Sequence, residues 1–398
     1  MPNRLPRFPP GPGGVYIHVP FCRKKCRYCD FYSVSDLDRL PIFVDALLAE
    51  MALVAPGFSF PCDTLYFGGG TPSLLPPADV ARLVEGVRAH FRLSSSAEIT
   101  LEANPGTVSP EALAQYRRAG INRLSLGVQS LDPDQLKRLG RIHTPAEAVA
   151  AFHAARDAGF SNIGIDLIYG LPSQSEAAWR RELARAAELG PEHISAYLLA
   201  WAPGTPLHRD RGLGRVRPPS EEIAARLFDV TFQALADLGY PAYEISNFAR
   251  SPEFRSRHNQ KYWTHAPYLG LGPAAHGFHP PERSWNLPSV RAHVAALRKG
   301  RVPVAGRERL GPAELAVEAV YLGLRRLDGV DIRRWTAMFG NDFDQIFAGA
   351  LDIFRGEGWM ETSGPFRRLT DRGRPRMDGI VNCLVGEIRE NNFPENGD

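Results

Sequence analysis

The chain has 398 residues, of which 44% are hydrophobic and 23% are charged. This composition belongs to a globular protein with a sizeable core, which excludes a mostly disordered chain. The net charge of +3 is far below the excess that marks a general nucleic-acid binder. The sequence has no run of about eighteen uncharged apolar residues, and residues 1–14 lack the apolar region of a secretory signal. We therefore expect a cytoplasmic protein without a transmembrane segment, beginning with a flexible tail over residues 1–14.

Short β-branched or aromatic runs alternate with amphipathic stretches after this tail. They predict strands over residues 14–19, 64–67, 98–102, 123–127, 162–167 and 193–198. Helices are predicted between them over residues 36–53, 77–90, 110–119, 132–139, 145–158 and 175–188. Six strand–helix units in succession predict an α/β fold with a parallel sheet, which right-handed crossovers curl into a barrel or part-barrel. Functional side chains then belong in the loops that follow the carboxyl ends of the strands.

The alternation stops near residue 200. A segment rich in Gly, Pro and Arg predicts an exposed connection over 209–219, and a helix, a strand-like run and an aromatic segment follow over 221–238, 243–248 and 258–278. Helices over 313–327, 332–339 and 343–357 then precede a short β-like end, which predicts a smaller, helical, winged-helix-like domain. The expected organisation is a core barrel over 15–215, an extension over 216–305 and a C-terminal domain over 306–398.

Three of the five cysteines, Cys22, Cys26 and Cys29, fall within eight residues just after the first predicted strand. An odd number of cysteines and the lack of an export signal favour metal binding in a reducing compartment over disulfides. The C-x3-C-x2-C spacing allows three thiolates to hold one [4Fe–4S] cluster, which leaves one iron open to a small molecule. Basic neighbours are expected to lower the thiol pKa values; they are Arg23, Lys24, Lys25 and Arg27.

A structural zinc site is the alternative for these cysteines. His18 or Cys62 would then be the fourth ligand. Zinc sites usually combine two Cys pairs separated by a dozen or more residues, and no second pair follows here. The spacing therefore favours the iron–sulfur cluster.

Residues 16–33, YIHVPFCRKKCRYCDFYS, carry a resemblance to a known family. They resemble the signature of radical S-adenosylmethionine (SAM) proteins, in the branch that contains the oxygen-independent coproporphyrinogen III oxidases (HemN) and the haem chaperones (HemW). The resemblance extends from Tyr16 to about Phe278. It implies a radical-SAM partial (β/α)6 barrel, in which three cysteines hold a [4Fe–4S] cluster and SAM chelates the open iron.

A glycine loop and a series of polar strand ends complete the predicted site. The loop FGGGTP lets the backbone approach a ligand, although a tight turn is the alternative for the loop alone. The resemblance implies that Gly69, Gly70 and Thr71 hold the methionine end of SAM, and that Glu102 accepts the two ribose hydroxyls. It implies further SAM contacts from Gln129, Arg141, Asp166, Tyr16, Tyr28 and Ala200. A surface role for Arg141, a capping role for Asp166 and the binding of a second SAM all stay open.

Two features of the sequence separate chaperone from oxidase. In the oxidases that the sequence resembles, a further cysteine stands two residues after the third, whereas this chain has Phe31. HNQKYW, residues 258–263, resembles the HNxxYW motif that is associated with haem handling in HemW-type proteins. The resemblance implies haem contacts from His258, Tyr262 and Trp263, with an imidazole on the iron and flat rings against the porphyrin.

The alternatives for this motif are a hydrogen-bonded loop histidine and ordinary core packing of the aromatics. His265, His276 and His279 are other histidines that could bind the iron. The expected function is that of a haem chaperone that delivers haem to apo-haemoproteins. The alternative function is oxygen-independent oxidative decarboxylation of coproporphyrinogen III.

Overall fold

The structure, a computed structural model, describes residues 6–8 and 11–390. Its strands are Gly13–Val19 (β1), Cys62–Gly69 (β2), Leu93–Ala103 (β3), Arg123–Gln129 (β4), Ile163–Tyr169 (β5), His193–Leu198 (β6), Asn247–Ala249 (β7), Tyr268–Leu271 (β8), His276–His279 (β9), Glu282–Asn286 (β10), Val304–Arg309 (β11), Val330–Asp331 (β12), Met360–Ser363 (β13) and Phe366–Leu369 (β14). Its α-helices are Leu40–Val54 (α1), Pro77–His90 (α2), Pro110–Arg118 (α3), Pro133–Leu139 (α4), Pro145–Asp157 (α5), Glu176–Glu188 (α6), Pro206–Gly212 (α7), Glu221–Asp237 (α8), Arg257–Trp263 (α9), Val290–Arg298 (α10), Pro312–Arg325 (α11), Ile332–Phe339 (α12), Phe343–Ile346 (α13), Ala348–Gly356 (α14) and Met377–Glu390 (α15).

Strands β1 to β6 lie side by side in chain order, and each is parallel to the next. This arrangement confirms the predicted α/β part-barrel, because each crossover between neighbouring strands contains a helix. The sheet continues beyond it on both sides. Strand β8 pairs in parallel with β1, β7 pairs antiparallel with β6, and β9 to β11 extend the sheet as antiparallel strands.

Residues alternate between the two faces of the barrel strands. In β4, Leu124 and Leu126 belong to the main hydrophobic core, whereas Arg123 and Ser125 line the interior of the barrel. The same period of two places Val15 and Ile17 of β1 in the core. Helices therefore cover an apolar outer face, and polar side chains project into the barrel.

One helical stretch, Leu37–Gly57, has the length and hydropathy of a membrane span, contrary to the expectation from sequence. Its apolar side chains, such as Phe43 and Leu47, are buried in the main core. The carboxylate of Glu50 within it accepts hydrogen bonds from Gly272 N at 2.9 Å and Asn286 Nδ2 at 2.7 Å. This helix is thus tied to the sheet as a core element.

The chain after residue 200 differs from the prediction in several elements. The predicted connection begins within a helix, α7, whose Thr205 cap accepts a hydrogen bond from His208 N at 3.2 Å. In the region of the predicted strand over 243–248, the structure has only the short strand β7. The predicted helix over 343–357 is divided at Phe347 into α13 and α14, and α15 was not predicted. The predicted tail also ends earlier, because Gly13 and Gly14 belong to β1.

The C-terminal residues form a second hydrophobic core. Buried side chains of α11, α12 and α15 include Val320, Trp335 and Leu384. The antiparallel strands lie in the order β12–β14–β13 beside these helices. Helices with a small antiparallel sheet agree with the predicted winged-helix-like domain, whereas the boundaries at 215 and 305 stay predictions.

Candidate functional site

A cavity of about 500 Å³ lies inside the barrel and opens at the carboxyl ends of its strands. Its lining contains the three cysteines of the predicted cluster and nine of the predicted SAM contacts: Cys22, Cys26, Cys29, Tyr28, Gly69, Gly70, Thr71, Glu102, Gln129, Arg141, Asp166 and Ala200. Tyr16, the remaining predicted SAM contact, is not in the lining. Its ring packs on Tyr66, which does line the cavity, and the two ring centroids are 6.1 Å apart. The cavity therefore collects residues from the carboxyl ends of the six parallel strands and from the connections that follow them.

The cysteine loop is fixed on both sides by backbone hydrogen bonds. Cys22 N donates to Val34 O at 2.9 Å, and Arg27 N donates to Leu139 O at the end of α4 at 2.9 Å. All three thiols are half-buried. Two of them accept hydrogen bonds from predicted SAM contacts: Thr71 Oγ1 lies 3.5 Å from Cys22 Sγ, and Arg141 Nη1 lies 3.4 Å from Cys26 Sγ. The loop is thus held with its thiols facing the cavity.

The thiol arrangement fits a multinuclear cluster better than a single zinc ion. Among the described residues, no three His, Cys, Asp or Glu side chains lie close enough to share one metal ion. In a cubane each thiolate binds a different iron, so the sulfurs need not converge on one point. The two candidates for a fourth zinc ligand, His18 and Cys62, gain no support from the structure. His18 shares hydrogen bonds with Tyr16 OH and Tyr32 O at 3.1 and 2.9 Å, and Cys62 lies outside the cavity lining.

Burial, rather than the basic neighbours, dominates the pKa of one cluster thiol. It raises the pKa of Cys29 to about 11, although Lys25 acts in the opposite direction. The side chains of Lys25 and Arg23 donate to Phe31 O and Gly106 O at 2.9 and 3.2 Å, and Arg27 pairs with Asp210. For Cys29, Lys25 thus acts in the predicted direction, but burial outweighs it and the net pKa is raised.

The glycine loop is constrained by close packing against β1 and the cysteine loop. Gly69 has a φ of 109°, and a Cβ placed there would lie 2.6 Å from the His18 ring. A Cβ at Gly70 would lie 2.7 Å from Phe21 O, next to the first cysteine. Glycine is therefore needed in this loop because the protein's own backbone and side chains leave no room for a larger residue.

Replacing Gly70 with alanine should displace the cysteine loop. We expect the variant to be destabilised by about 1–3 kcal/mol, as for other overpacked sites, and to hold less iron per chain. Thermal unfolding and iron analysis of reconstituted protein measure both effects. Gly57→Ala is the matched control, because a Cβ there meets no atom within 4 Å. Equal iron content and stability in the two variants would contradict the prediction.

Glu102 lies at the end of β3 with both carboxylate oxygens engaged. Oε1 accepts a hydrogen bond from Tyr66 OH at 2.7 Å, and Oε2 accepts one from Gly69 N at 3.2 Å. Burial raises the pKa of Glu102 to about 7, and the nearby Asp166 adds to this rise, while the two hydrogen bonds oppose it. The carboxyl group thus titrates near neutral pH.

The remaining predicted SAM contacts line the same cavity. Gln129 ends β4 with a φ of 69°, a left-handed conformation that costs energy in a non-glycine residue and is often found at functional sites. Nε of Arg141 is buried and has no hydrogen-bond partner among the described residues, although Nη2 donates to Gly127 O. Asp166 accepts a hydrogen bond from Ser125 Oγ at 3.1 Å. An orphaned donor and a strained strand end fit a site shaped for a polar ligand.

The structure adds lining residues that the sequence did not single out, among them Tyr66, Arg123 and Asn259. Arg123 is 2% exposed, and its Nε has no hydrogen-bond partner among the described residues. The period of two along β4 could have indicated Arg123, because it lies on the same face as Ser125 and Gln129. Asn259 belongs to the HNQKYW motif, which the sequence analysis associates with haem binding.

The three predicted haem residues do not line the cavity. His258 is 1% exposed, and its two ring nitrogens share hydrogen bonds with Thr64 Oγ1 at 2.8 Å and Tyr262 OH at 2.9 Å. Trp263 packs near Tyr243, with ring centroids 6.0 Å apart. In this structure, therefore, both ring nitrogens of His258 are engaged in hydrogen bonds, and its role as an iron ligand stays a prediction.

Comparison with known families matches residues 16–186 to the radical SAM superfamily and residues 310–376 to the HemN C-terminal domain. The haem chaperone HemW of Mycobacterium tuberculosis is 37% identical over 393 residues, covering 97% of this chain and 98% of that protein. HemW of Escherichia coli is 34% identical over 384 residues, covering 94% and 99%. The solved structure of coproporphyrinogen III oxidase (HemN) from Escherichia coli superimposes with a TM-score of 0.82 at 25% identity, covering 95% and 91%.

The fold and the cavity together define a radical SAM protein with a HemN-like structure. Because these two HemW proteins are 37% and 34% identical to the chain over nearly its whole length, the chain belongs to the HemW family.

Proposed function

We propose that this protein is a haem chaperone that carries a [4Fe–4S] cluster, binds SAM and haem, and transfers haem to apo-haemoproteins. The observation that carries the proposal is the similarity over almost the entire chain to proteins named haem chaperone HemW. Three half-buried free thiols on one loop fit a protein that works in a reducing compartment, and we propose the cytoplasm.

The cavity supplies residues for both cofactors. Cys22, Cys26 and Cys29 would hold the [4Fe–4S] cluster, and three thiolates would leave one iron open for SAM. Glu102 would accept the ribose hydroxyls of SAM, and Gln129, Arg141 and Asp166 would bind its other polar groups. When bound, the cluster and SAM supply electron transfer and radical chemistry. The chain's own residues bind and orient these groups in a pocket partly shielded from water.

The haem is expected outside this cavity. None of the residues that line it is a histidine. His276 and His279 are exposed on β9, at the sheet extension. The ring of His276 stacks against Trp285, with centroids 6.0 Å apart, so an imidazole and a flat indole lie together on the surface. These histidines are the better candidates for an iron ligand.

Oxygen-independent coproporphyrinogen III oxidation is the second candidate function. It is supported by the similarity to the HemN structure, with a TM-score of 0.82. Against it stands Phe31, which is 62% exposed at the rim of the cavity where the oxidases that the sequence resembles carry a cysteine. A phenyl ring can neither bind metal nor transfer a proton or electron as a thiol can.

A haem titration of anaerobically reconstituted protein tests the proposal. We expect a saturable change in Soret absorbance at about one haem per chain, and no decarboxylation in a parallel assay with coproporphyrinogen III. Haem bound in this way should then pass to a haem-free acceptor protein. Product formation from coproporphyrinogen III without saturable haem binding would instead establish the oxidase.

A further inference from the structure

Helix α9 places the HNQKYW residues against the inner wall of the barrel. The backbone N–H groups of Arg257 and His258 donate to the carboxylate of Glu98 on β3 at 3.1 and 3.0 Å. Ser256 caps the helix and accepts a hydrogen bond from Asn259 N at 3.3 Å. The side chain of Lys261 reaches Pro12 O at 2.9 Å and pairs with Asp63. These bonds tie the helix to three separate segments of the barrel.

The imidazole of His258 is hydrogen-bonded to two hydroxyl groups and stacks on aromatic rings. Besides its hydrogen bonds to Thr64 and Tyr262, its face stacks on Tyr66, with centroids 5.0 Å apart and planes 26° from parallel. Tyr16 stacks on the same imidazole at 6.3 Å. Because Tyr16 and Tyr66 also stack on each other, with centroids 6.1 Å apart, both tyrosines lie on the same side of the His258 ring.

Tyr66 links this cluster to the cavity. Its ring rests on His258, and its hydroxyl donates to Glu102 Oε1 at 2.7 Å. The imidazole covers one face of the Tyr66 ring. A continuous series of contacts therefore runs from α9 through Tyr66 to the carboxylate that lines the cavity.

We propose that His258 is a positioning residue of the SAM pocket, which holds Tyr66 so that the tyrosine hydroxyl keeps Glu102 oriented toward the SAM ribose. The inference rests on the proposed function, because it takes Glu102 as a SAM contact. In this role the imidazole never touches SAM, and the HNxxYW residues serve the radical SAM site. The neighbouring Asn259 lines the cavity itself, so the same motif both positions Tyr66 and contributes a residue to the cavity lining.

The charge state of the imidazole agrees with this role. Burial lowers the pKa of His258 to about 3, and the cations Lys261 and Arg123 lower it further. The ring is therefore neutral at physiological pH, with one N–H to donate and one nitrogen to accept. Its two hydroxyl partners use both. An iron atom would have to displace one of them from a site that is closed to solvent.

The experiment compares SAM affinity among variants of the reconstituted holoprotein by equilibrium dialysis. His258→Ala and Tyr66→Phe are each expected to weaken SAM binding by about tenfold, the loss of one oriented hydrogen bond to a charged group. The double variant should be no weaker than His258→Ala alone, because both changes break the same series of contacts. His153→Ala, on the exposed face of α5, is the control. Additive losses would overturn the proposal.

The pH dependence of SAM binding distinguishes this role from a general loss of structure, which would not shift the midpoint of the profile. The Tyr66 hydroxyl opposes the raised pKa of Glu102, so its loss should shift the midpoint of SAM binding to higher pH in both single variants. The other titratable groups around Glu102 are unchanged in Tyr66→Phe; they are Tyr16, Arg123, Asp166 and Tyr262. An unshifted midpoint would count against the proposal.

A haem titration of the same variants separates this role from iron ligation. Haem affinity is expected to stay within about twofold of the wild type in His258→Ala. Loss of haem binding with intact SAM binding would overturn the inference and make His258 a haem ligand. If His258→Ala does not fold, Tyr262→Phe removes only one hydroxyl partner and should weaken SAM binding about two- to threefold. Failure of the wild type to bind SAM would refute the proposed function instead.

Discussion

Cys26→Ser is expected to abolish the iron–sulfur cluster, with less than about one iron per reconstituted chain against roughly four in the wild type. Three thiolates hold the cluster in the proposal, so the loss of one leaves too few ligands. The replaced sulfur also accepts a hydrogen bond from Arg141, which links the cluster loop to the SAM site. Iron analysis and the brown charge-transfer absorption of anaerobic protein measure the effect, and SAM binding should fall with it.

The two other cysteines provide matched controls for this experiment. Cys383 is exposed on α15, and Cys62 is buried in β2 beside Phe60 O, outside the cavity lining. Serine at either position should leave the iron content unchanged. A full complement of iron in Cys26→Ser, or its loss in Cys383→Ser, would show that the cluster is not held as proposed.

Glu102→Gln is expected to weaken SAM binding by about ten- to a hundredfold. A carboxylate accepts hydrogen bonds from both ribose hydroxyls, and hydrogen bonds to charged groups contribute about 1.5–3 kcal/mol each. The amide has the same shape but offers only one acceptor oxygen, which Tyr66 already uses in this structure. Equilibrium dialysis of the reconstituted protein gives the affinity. Unchanged binding would remove Glu102 from the ribose site.

The pH dependence of binding provides a second test of Glu102. Since its pKa is raised to about 7, the carboxyl group of the empty pocket takes up a proton as the pH falls through this value. SAM binding that requires the carboxylate should therefore strengthen as the pH rises between about 6 and 8, and Glu102→Gln should lose this part of the profile.

The free energy of unfolding of the SAM-free protein is expected to fall as the pH rises, whereas SAM binding is expected to strengthen. A carboxyl group whose pKa is raised on folding stabilises the fold while it is protonated. This contribution to the free energy of unfolding is complete below the pKa of the unfolded chain, about 4.3 for glutamate. It is lost as the pH rises through about 7, the pKa of Glu102 in the folded protein. Urea unfolding of the SAM-free protein should show this slope in the wild type and a flatter profile in Glu102→Gln. Identical profiles would contradict the raised pKa.

Local signals in the sequence located most of the barrel. Helix α12 was predicted with the bounds that the structure shows, because Asp331 caps its start and Gly340 ends it in a left-handed conformation. The strand cores were found because they contain short β-branched or aromatic runs. Strand β3 begins five residues before the predicted start, since its first residues include a polar run of serines that lacks this pattern.

Strands β8 to β11 show where such signals fail. Their residues form short segments of mixed polarity, and β8 is a strand because β1, more than 250 residues earlier, supplies its hydrogen-bond partners. Pairing of this kind depends on the assembled sheet. A short stretch of the sequence therefore carries no pattern that predicts this pairing.

By itself, the sequence determined the cysteine cluster, the glycine loop and the polar strand ends, because spacing and residue type along the chain are enough to place them on one face of a parallel sheet. Only the tertiary structure decided the place of HNQKYW. Whether His258 meets iron or packs under Tyr66 depends on which distant side chains surround it, and burial among Thr64, Tyr66 and Tyr262 engages both of its nitrogens. Residue type fixes what a side chain can do, and its neighbours in three dimensions select which of these it does.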